Sequence, residues 1–146
     1  MASTPTIIIT EDDEAAAHLI QTNLKRAGLD FRIIRAHNGK EAVDIIEHKN
    51  DSYTFTSEDR LIMLLDIRMP KMDGIQVLEH MKGSQSLKKI SVIMMTTTDD
   101  PKEIDKCYEL GCNFYVTKPV DYGKFVTTIK SIAEYLKVCT IPEFSG

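Results

Sequence analysis

Leu61-Ile62-Met63-Leu64-Leu65-Asp66-Ile67-Arg68-Met69-Pro70-Lys71-Met72-Asp73-Gly74 decides how the chain folds. The first five residues are apolar without alternation, so a strand over 61–65 buries both of its faces. Such a strand needs helices above and below it, the condition of a parallel sheet in an α/β layer. The run ends abruptly on a carboxylate, Asp66. Pro70 and the Asp73-Gly74 pair then break the backbone before a stretch over 74–82 that reads as a helix.

Outward from this segment the same switch of period recurs four times. Upstream, Thr6-Ile7-Ile8-Ile9-Thr10 is a buried strand, and a helix from Asp13 places Ala16, Ile20, Leu24 and Ala27 on one face before Gly28 stops it. A strand over 31–35 leads to Asn38-Gly39, where Asn38 caps a helix carrying Ala42, Val43 and Ile46. Downstream, a strand over 90–95 is followed by a helix over 100–110, with Pro101 in its first turn and Gly111 at its end. A strand over 113–117 then precedes a helix over 121–138, capped by Asp121 and aligned on Phe125, Ile129, Ile132 and Leu136. Residues 50–60 are polar and aperiodic, a longer loop than α/β units usually carry. Five strand–helix units with right-handed crossovers predict a flavodoxin-like doubly wound parallel sheet of order 2-1-3-4-5.

With 146 residues the chain is expected to form one domain over 1–146, with a core from about 6 to 138, a tail over 139–146 and no output domain. A net charge of −4 without a segregated basic run argues against a nucleic-acid partner. No apolar run reaches the ~18–20 residues of a membrane span, and residues 1–6 do not read as a signal peptide, so no membrane partner is expected. Cys107, Cys112 and Cys139 form no CxxC pair and suit a reducing cytoplasm, the expected location.

In an open parallel sheet, function sits beyond the carboxyl ends of the strands. The first strand is followed by Glu11-Asp12-Asp13, the third by Asp66, the fourth by Thr96-Thr97-Thr98 and the fifth by Lys118-Pro119. With the first and third strands adjacent, Glu11, Asp12 and Asp66 converge. Three carboxylates in one crevice repel, and a hard cation relieves them; oxygen-only ligands suit Mg²⁺. Lys118 adds an ammonium and Thr96 a hydroxyl, a set suited to the oxygens of a phosphoryl group in transfer. Asp66 is the candidate nucleophile, and its attack on phosphorus yields an acyl phosphate.

Together these segments resemble the receiver domain of two-component response regulators. The resemblance rests on Glu11-Asp12-Asp13, Leu65 through Gly74, Met95-Thr96-Thr97 and Tyr115-Val116-Thr117-Lys118-Pro119, and runs from Ile7 to Val138. It implies that Asp66 accepts a phosphoryl group from a histidine kinase or a histidine phosphotransfer protein. It also implies that Mg²⁺ is bound by Asp12, Asp66 and the Arg68 carbonyl, with Glu11 acting through water. Lys118 would pair with a phosphate oxygen, Thr96 would hydrogen-bond the phosphoryl group, and Tyr115 would turn inward as Thr96 moves. Arg68 and Thr98 stand where receivers tune dephosphorylation, with Arg68 shielding the acyl phosphate or pairing with Glu11 or Asp99. A cis bond before Pro119 is common in that family. Glu11 departs from the family's usual Asp by one methylene.

The long loop and the tail over 135–142 resemble single-domain regulators paired with bacterial phytochromes, which implies a phytochrome-type kinase and a homodimer through the fifth helix and tail. Chemotaxis-type signalling and an intermediate position in a phosphorelay are alternatives. An aspartyl-nucleophile phosphatase is a rival, but those enzymes carry an acid two residues after the nucleophile, where Arg68 stands. A pseudo-receiver is a third reading, opposed by the intact Asp12, Asp66, Thr96 and Lys118. The module is therefore expected to catalyse its own phosphorylation and dephosphorylation without being an enzyme with a separate substrate. His18, His37, His48 and His80 read as surface residues and Lys82, Lys88 and Lys89 as a solvated basic face, while His18, Gln21 and Thr22 are candidates for partner choice.

Overall fold

The computed structural model describes residues 4–50, 52–56 and 58–143. The first three residues of the stretch examined for a signal peptide, two residues of the long loop (51 and 57) and the last three of the tail lie outside them. The elements are β1 (Thr6–Thr10), α1 (Glu14–Arg26), β2 (Arg32–Ala36), α2 (Gly39–Ile46), β3 (Leu61–Leu65), α3 (Gly74–Lys82), β4 (Ser91–Thr96), α4 (Pro101–Leu110), β5 (Phe114–Thr117) and α5 (Tyr122–Val138). All strand pairs are parallel and the order is β2-β1-β3-β4-β5.

The Asn38 and Asp121 caps fall where the sequence puts them. Asp13, Asn38, Asp73, Asp100 and Asp121 each accept a backbone N–H at the start of a helix, and Asp73 with Gln76 completes a capping box. Gly111 ends α4 in the left-handed conformation that favours glycine. Strand β5 is one residue shorter than expected because Asn113 acts through both its backbone and its side chain. Its N–H donates to the Val92 carbonyl and its Oδ1 accepts the Val92 N–H, each at 2.8 Å. This leaves a four-residue open edge between Asn113 and Lys118-Pro119.

Strand residues alternate between two cores. Ile7, Ile9, Ile62, Leu64, Ile93 and Met95 pack with α1 and α5, while Ile8, Ile34, Met63, Leu65, Val92 and Met94 pack with α2, α3 and α4. The paired ends of β1 and β3, Thr10 opposite Leu65, put Glu11 beside Asp66 at the point where strand order reverses.

Two segments differ from expectation. The 50–60 loop is anchored, because it is not uniformly polar. Phe55 is buried and Tyr53 half-buried, and the Arg32 guanidinium carbon lies 5.7 Å and 5.9 Å from the Tyr53 and Phe55 ring centroids. The tail folds back to the opposite end of the sheet from the crevice. Ile141 is buried, its carbonyl accepts Arg60 Nη1 at 2.6 Å, and Glu143 pairs with Arg60 Nη2 at 3.3 Å.

Candidate functional site

A cleft of about 380 Å³ opens beyond the ends of β1 and β3, lined by Asp12, Ile67, Arg68, Met69, Pro70 and Asp73. Beside it, at the ends of β1, β3 and β5, one ammonium ties two carboxylates. Lys118 Nζ donates to Asp66 Oδ2 at 3.0 Å and to Glu11 Oε1. All three groups are buried, whereas Asp12 is exposed. Burial pushes the Glu11 carboxyl up to about 7 against the opposing pull of Lys118. Burial also pulls the Lys118 ammonium down, but the bond to Glu11 and the charges of Asp66 and Glu11 outweigh it and hold Lys118 above its usual value.

The backbone positions each group. The Lys118 N–H donates to the Thr96 carbonyl at 2.7 Å, locking the lysine to the end of β4. The Asp66 N–H donates to the Thr10 carbonyl at 3.2 Å, and Asp66 Oδ1 accepts the Ile67 N–H at 2.7 Å. Gly74 lies against the Asp66 backbone, where a Cβ would stand 2.0 Å from the Asp66 carbonyl oxygen. Gly39 makes the same kind of approach to the Met72 carbonyl, again with 2.0 Å for a Cβ, so α2 braces the β3–α3 turn. Arg35 contributes a clamp that the sequence reading missed. Its Nη2 and Nε donate to the Glu11 carbonyl at 2.8 Å and 3.2 Å, and its Nη1 donates to Glu14 Oε2 at 2.7 Å. The signal was a pair of charges inside an otherwise apolar strand, Arg32-Ile33-Ile34-Arg35.

The donor set fits a hard divalent cation. One oxygen from each of Glu11, Asp12 and Asp66 lies within 4.8 Å of the others, and the exposed Asp12 leaves room for a metal that keeps its water. Thr96 is fully buried and its Oγ1 has no hydrogen-bond partner among the described residues, a polar group that a phosphoryl oxygen would satisfy.

Other expected residues fall differently. Arg68 pairs with neither Glu11 nor Asp99; its Nη2 donates to Glu103 Oε1 on α4 at 3.1 Å. The Thr98 hydroxyl accepts the Asp100 N–H at 3.2 Å and so belongs to the start of α4. Tyr115 is half-buried, its OH donates to the Thr98 carbonyl at 2.8 Å, and burial together with Cys107 and Glu103 pushes its phenol up to about 12. The Lys118-Pro119 bond is trans. Lys82 is not part of a solvated face, because its ammonium donates to the carbonyls of Lys88 and Ile90 at 2.9 Å and 3.0 Å. His37 and His80 are on the surface as expected, each beside a glutamate, Glu41 and Glu47. No helix among the described residues is long and apolar enough to cross a membrane, and all three cysteines are free.

A doubly wound sheet whose switch point holds three carboxylates closed by one lysine defines a receiver. The chain belongs to the response regulator receiver domain family, whose model matches residues 7–130. It is 33% identical over 139 residues to the response regulator Rcp1 of Synechocystis, covering 93% of this chain and 92% of Rcp1. The crystal structure of the Mn²⁺-bound form of Rcp1 superposes with a TM-score of 0.86 at 28% identity, covering 94% of this chain and 99% of that one. A response regulator receiver domain from Rhodospirillum rubrum gives a TM-score of 0.89 at 36% identity over 97% of this chain and 99% of its own. The phosphorylated cyanobacterial phytochrome response regulator RcpA gives 0.87 at 29% identity over 97% and 100%. The chain is thus similar to single-domain regulators, some of them phytochrome-associated.

Proposed function

We propose that this chain is a stand-alone response regulator that takes a phosphoryl group on Asp66 from a histidine kinase and signals through protein contacts. The observation that carries the reading is the Lys118 ammonium bonded to both Asp66 and Glu11, with the unsatisfied Thr96 hydroxyl at the neighbouring strand end. An Asp66 carboxylate oxygen attacks phosphorus, the bond from phosphorus to the donor's imidazole nitrogen breaks, and the imidazole leaves. Lys118 then exchanges a carboxylate partner for a phosphoryl oxygen, and Thr96 donates to another. Asp12, Asp66 and the Arg68 carbonyl would hold Mg²⁺, with Glu11 reaching it through water, and the ion would supply charge neutralisation between the two anions. Hydrolysis by water regenerates Asp66 within the same site, without a separate substrate.

The likeness to Rcp1 and RcpA supports a phytochrome-type kinase as donor; a chemotaxis-type role or an intermediate position in a phosphorelay uses the same site. The free thiols fit a reducing cytoplasm. The whole domain, residues 1–146, serves as the module.

Incubation with acetyl phosphate and Mg²⁺ is expected to put one phosphoryl group on wild type and none on Asp66→Asn, as read by intact mass. Uptake is expected to vanish with EDTA. Steady release of phosphate instead would mark a phosphatase, and no uptake a pseudo-receiver. For association, α5 offers the exposed Tyr135 and Val138, with Phe114 stacked edge-on against Tyr135 at 5.4 Å between ring centroids. Light scattering at tens of micromolar is expected to show a dimer that Tyr135→Glu disrupts; a monomeric wild type at that concentration, phosphorylated or not, overturns the dimer.

A further inference from the structure

One ion pair ties the lining of the cleft to α4. Arg68 comes from the β3–α3 turn, two residues after Asp66, and Glu103 from the first turn of α4. The guanidinium side chain is 68% exposed and the carboxylate 22%, so the arginine is the mobile partner and the glutamate the seat. Glu103 Oε2 is buried and has no hydrogen-bond partner among the described residues. A carboxylate at a helix start is favoured by the helix dipole. That preference accounts for an acid in this turn, but not for one whose second oxygen is buried and unbonded while the first holds a charge from another loop. The arrangement is one that a small movement of Arg68 makes unfavourable.

Resting on the reading of Asp66 as phosphoacceptor, we propose that Glu103 is a positioning residue that parks Arg68 on α4, and that a phosphoryl group on Asp66 draws Arg68 off it. A dianionic group beside the β3–α3 turn competes directly with one carboxylate for one guanidinium, and arginine suits the oxygens of a phosphoryl group bidentately. Once Arg68 leaves, Glu103 loses its charge-assisted bond and the first turn of α4 loses this tie to the β3–α3 turn. The message reaches α4 as the loss of a contact. The two partners of Arg68 are antagonistic, so by linkage weakening one strengthens the other.

The test is a double-mutant cycle on a phosphoryl analogue. Trifluoroberyllate with Mg²⁺ is titrated calorimetrically into wild type, Glu103→Gln, Arg68→Ala and the double variant. Glu103→Gln is expected to bind the analogue roughly two- to five-fold more tightly than wild type, the range an exposed ion pair can supply. In the Arg68→Ala background Glu103→Gln is expected to change nothing. Glu103→Asp, which keeps the charge, is expected to move affinity back towards wild type. Hydrogen exchange in the first turn of α4 is expected to rise on loading in wild type and to be raised already in unloaded Glu103→Gln. A Glu103 that merely stabilised the helix would alter melting equally in both backgrounds and leave analogue affinity unchanged or weaker. Equal affinity in wild type and Glu103→Gln, or an equal effect with and without Arg68, overturns the inference. If wild type binds no analogue and takes no phosphate from acetyl phosphate, the phosphoacceptor reading itself fails and this inference falls with it.

Discussion

With Lys118 replaced by methionine, the protein is expected to melt well below wild type at pH 8.5, with the gap narrowing as pH falls to 6. The lysine side chain is 7% exposed and is bonded to two buried carboxylates. Removing one partner from a buried ion pair costs about 3–5 kcal/mol, because the other charge stays buried and unpaired. In a domain of this size that is a fall of roughly 10 °C. The pH dependence follows from Glu11, raised by burial from 4.5 to about 7 while Lys118 pulls it down. Without Lys118 it stands higher still. A carboxyl raised in the folded state binds its proton there first, so its contribution to stability is complete below its unfolded value and is lost as pH rises through its folded value. Metal-free wild type is therefore expected to lose stability mildly between about pH 5 and 7.5, and the methionine variant to keep losing it at higher pH. Melting curves by circular dichroism, taken at half-unit intervals without divalent cations, check this. Parallel pH profiles for the two proteins would mean that Lys118 and Glu11 are not coupled as described.

Gly74→Ala is expected to damage stability and phosphoryl uptake together. The added Cβ would stand 2.0 Å from the Asp66 carbonyl oxygen and 2.8 Å from Ile67 Cα, and both obstacles are backbone that cannot rotate away. Helix α3 must therefore move off the turn that carries Asp66. Overpacking of this kind costs about 1–3 kcal/mol, and a displacement near 1 Å at a reacting group costs on the order of 100-fold in rate. Acetyl phosphate uptake is expected to slow at least tenfold. Gly123 supplies the contrast: a Cβ there meets Asp121 Oδ1 at 3.4 Å, an ordinary contact. Gly123→Ala is expected to stabilise by about 0.5 kcal/mol and to leave uptake unchanged. Wild-type melting and uptake in Gly74→Ala would show that α3 does not seat Asp66.

Most of the architecture was legible because it rests on local rules. The unbroken apolar strands, the Asn38 and Asp121 caps and Gly111 set element type and order, and the right-handed crossover rule left few topologies. The meeting of Glu11, Asp12 and Asp66 followed from the adjacency of β1 and β3. The contacts that were not legible depend on side-chain reach between segments distant in sequence. Arg35 reads as an ordinary edge-strand charge until its guanidinium is seen on the Glu11 carbonyl. The Arg68–Glu103 pair joins residues 35 apart, and no local pattern chooses Glu103 over Asp99. Lys82 sits in a basic cluster in the sequence, yet its long stem carries the ammonium to two carbonyls of the following turn. The anchoring of the 50–60 loop rests on Tyr53 and Phe55, two aromatics without a period in a polar segment, and so leaves no local pattern. Tail docking hangs on one apolar residue, Ile141, too little for periodicity to register.

The short open edge of the sheet also bears on solubility. An exposed strand presents free N–H and C=O groups on which another chain can build, the usual beginning of aggregation. Strand β5 offers only four residues for this. Beyond it, Pro119 has no N–H, so a strand added from outside finds no donor with which to lengthen the ladder. The proline that follows the lysine of the crevice thus also keeps a ladder built on the β5 edge from growing past that strand.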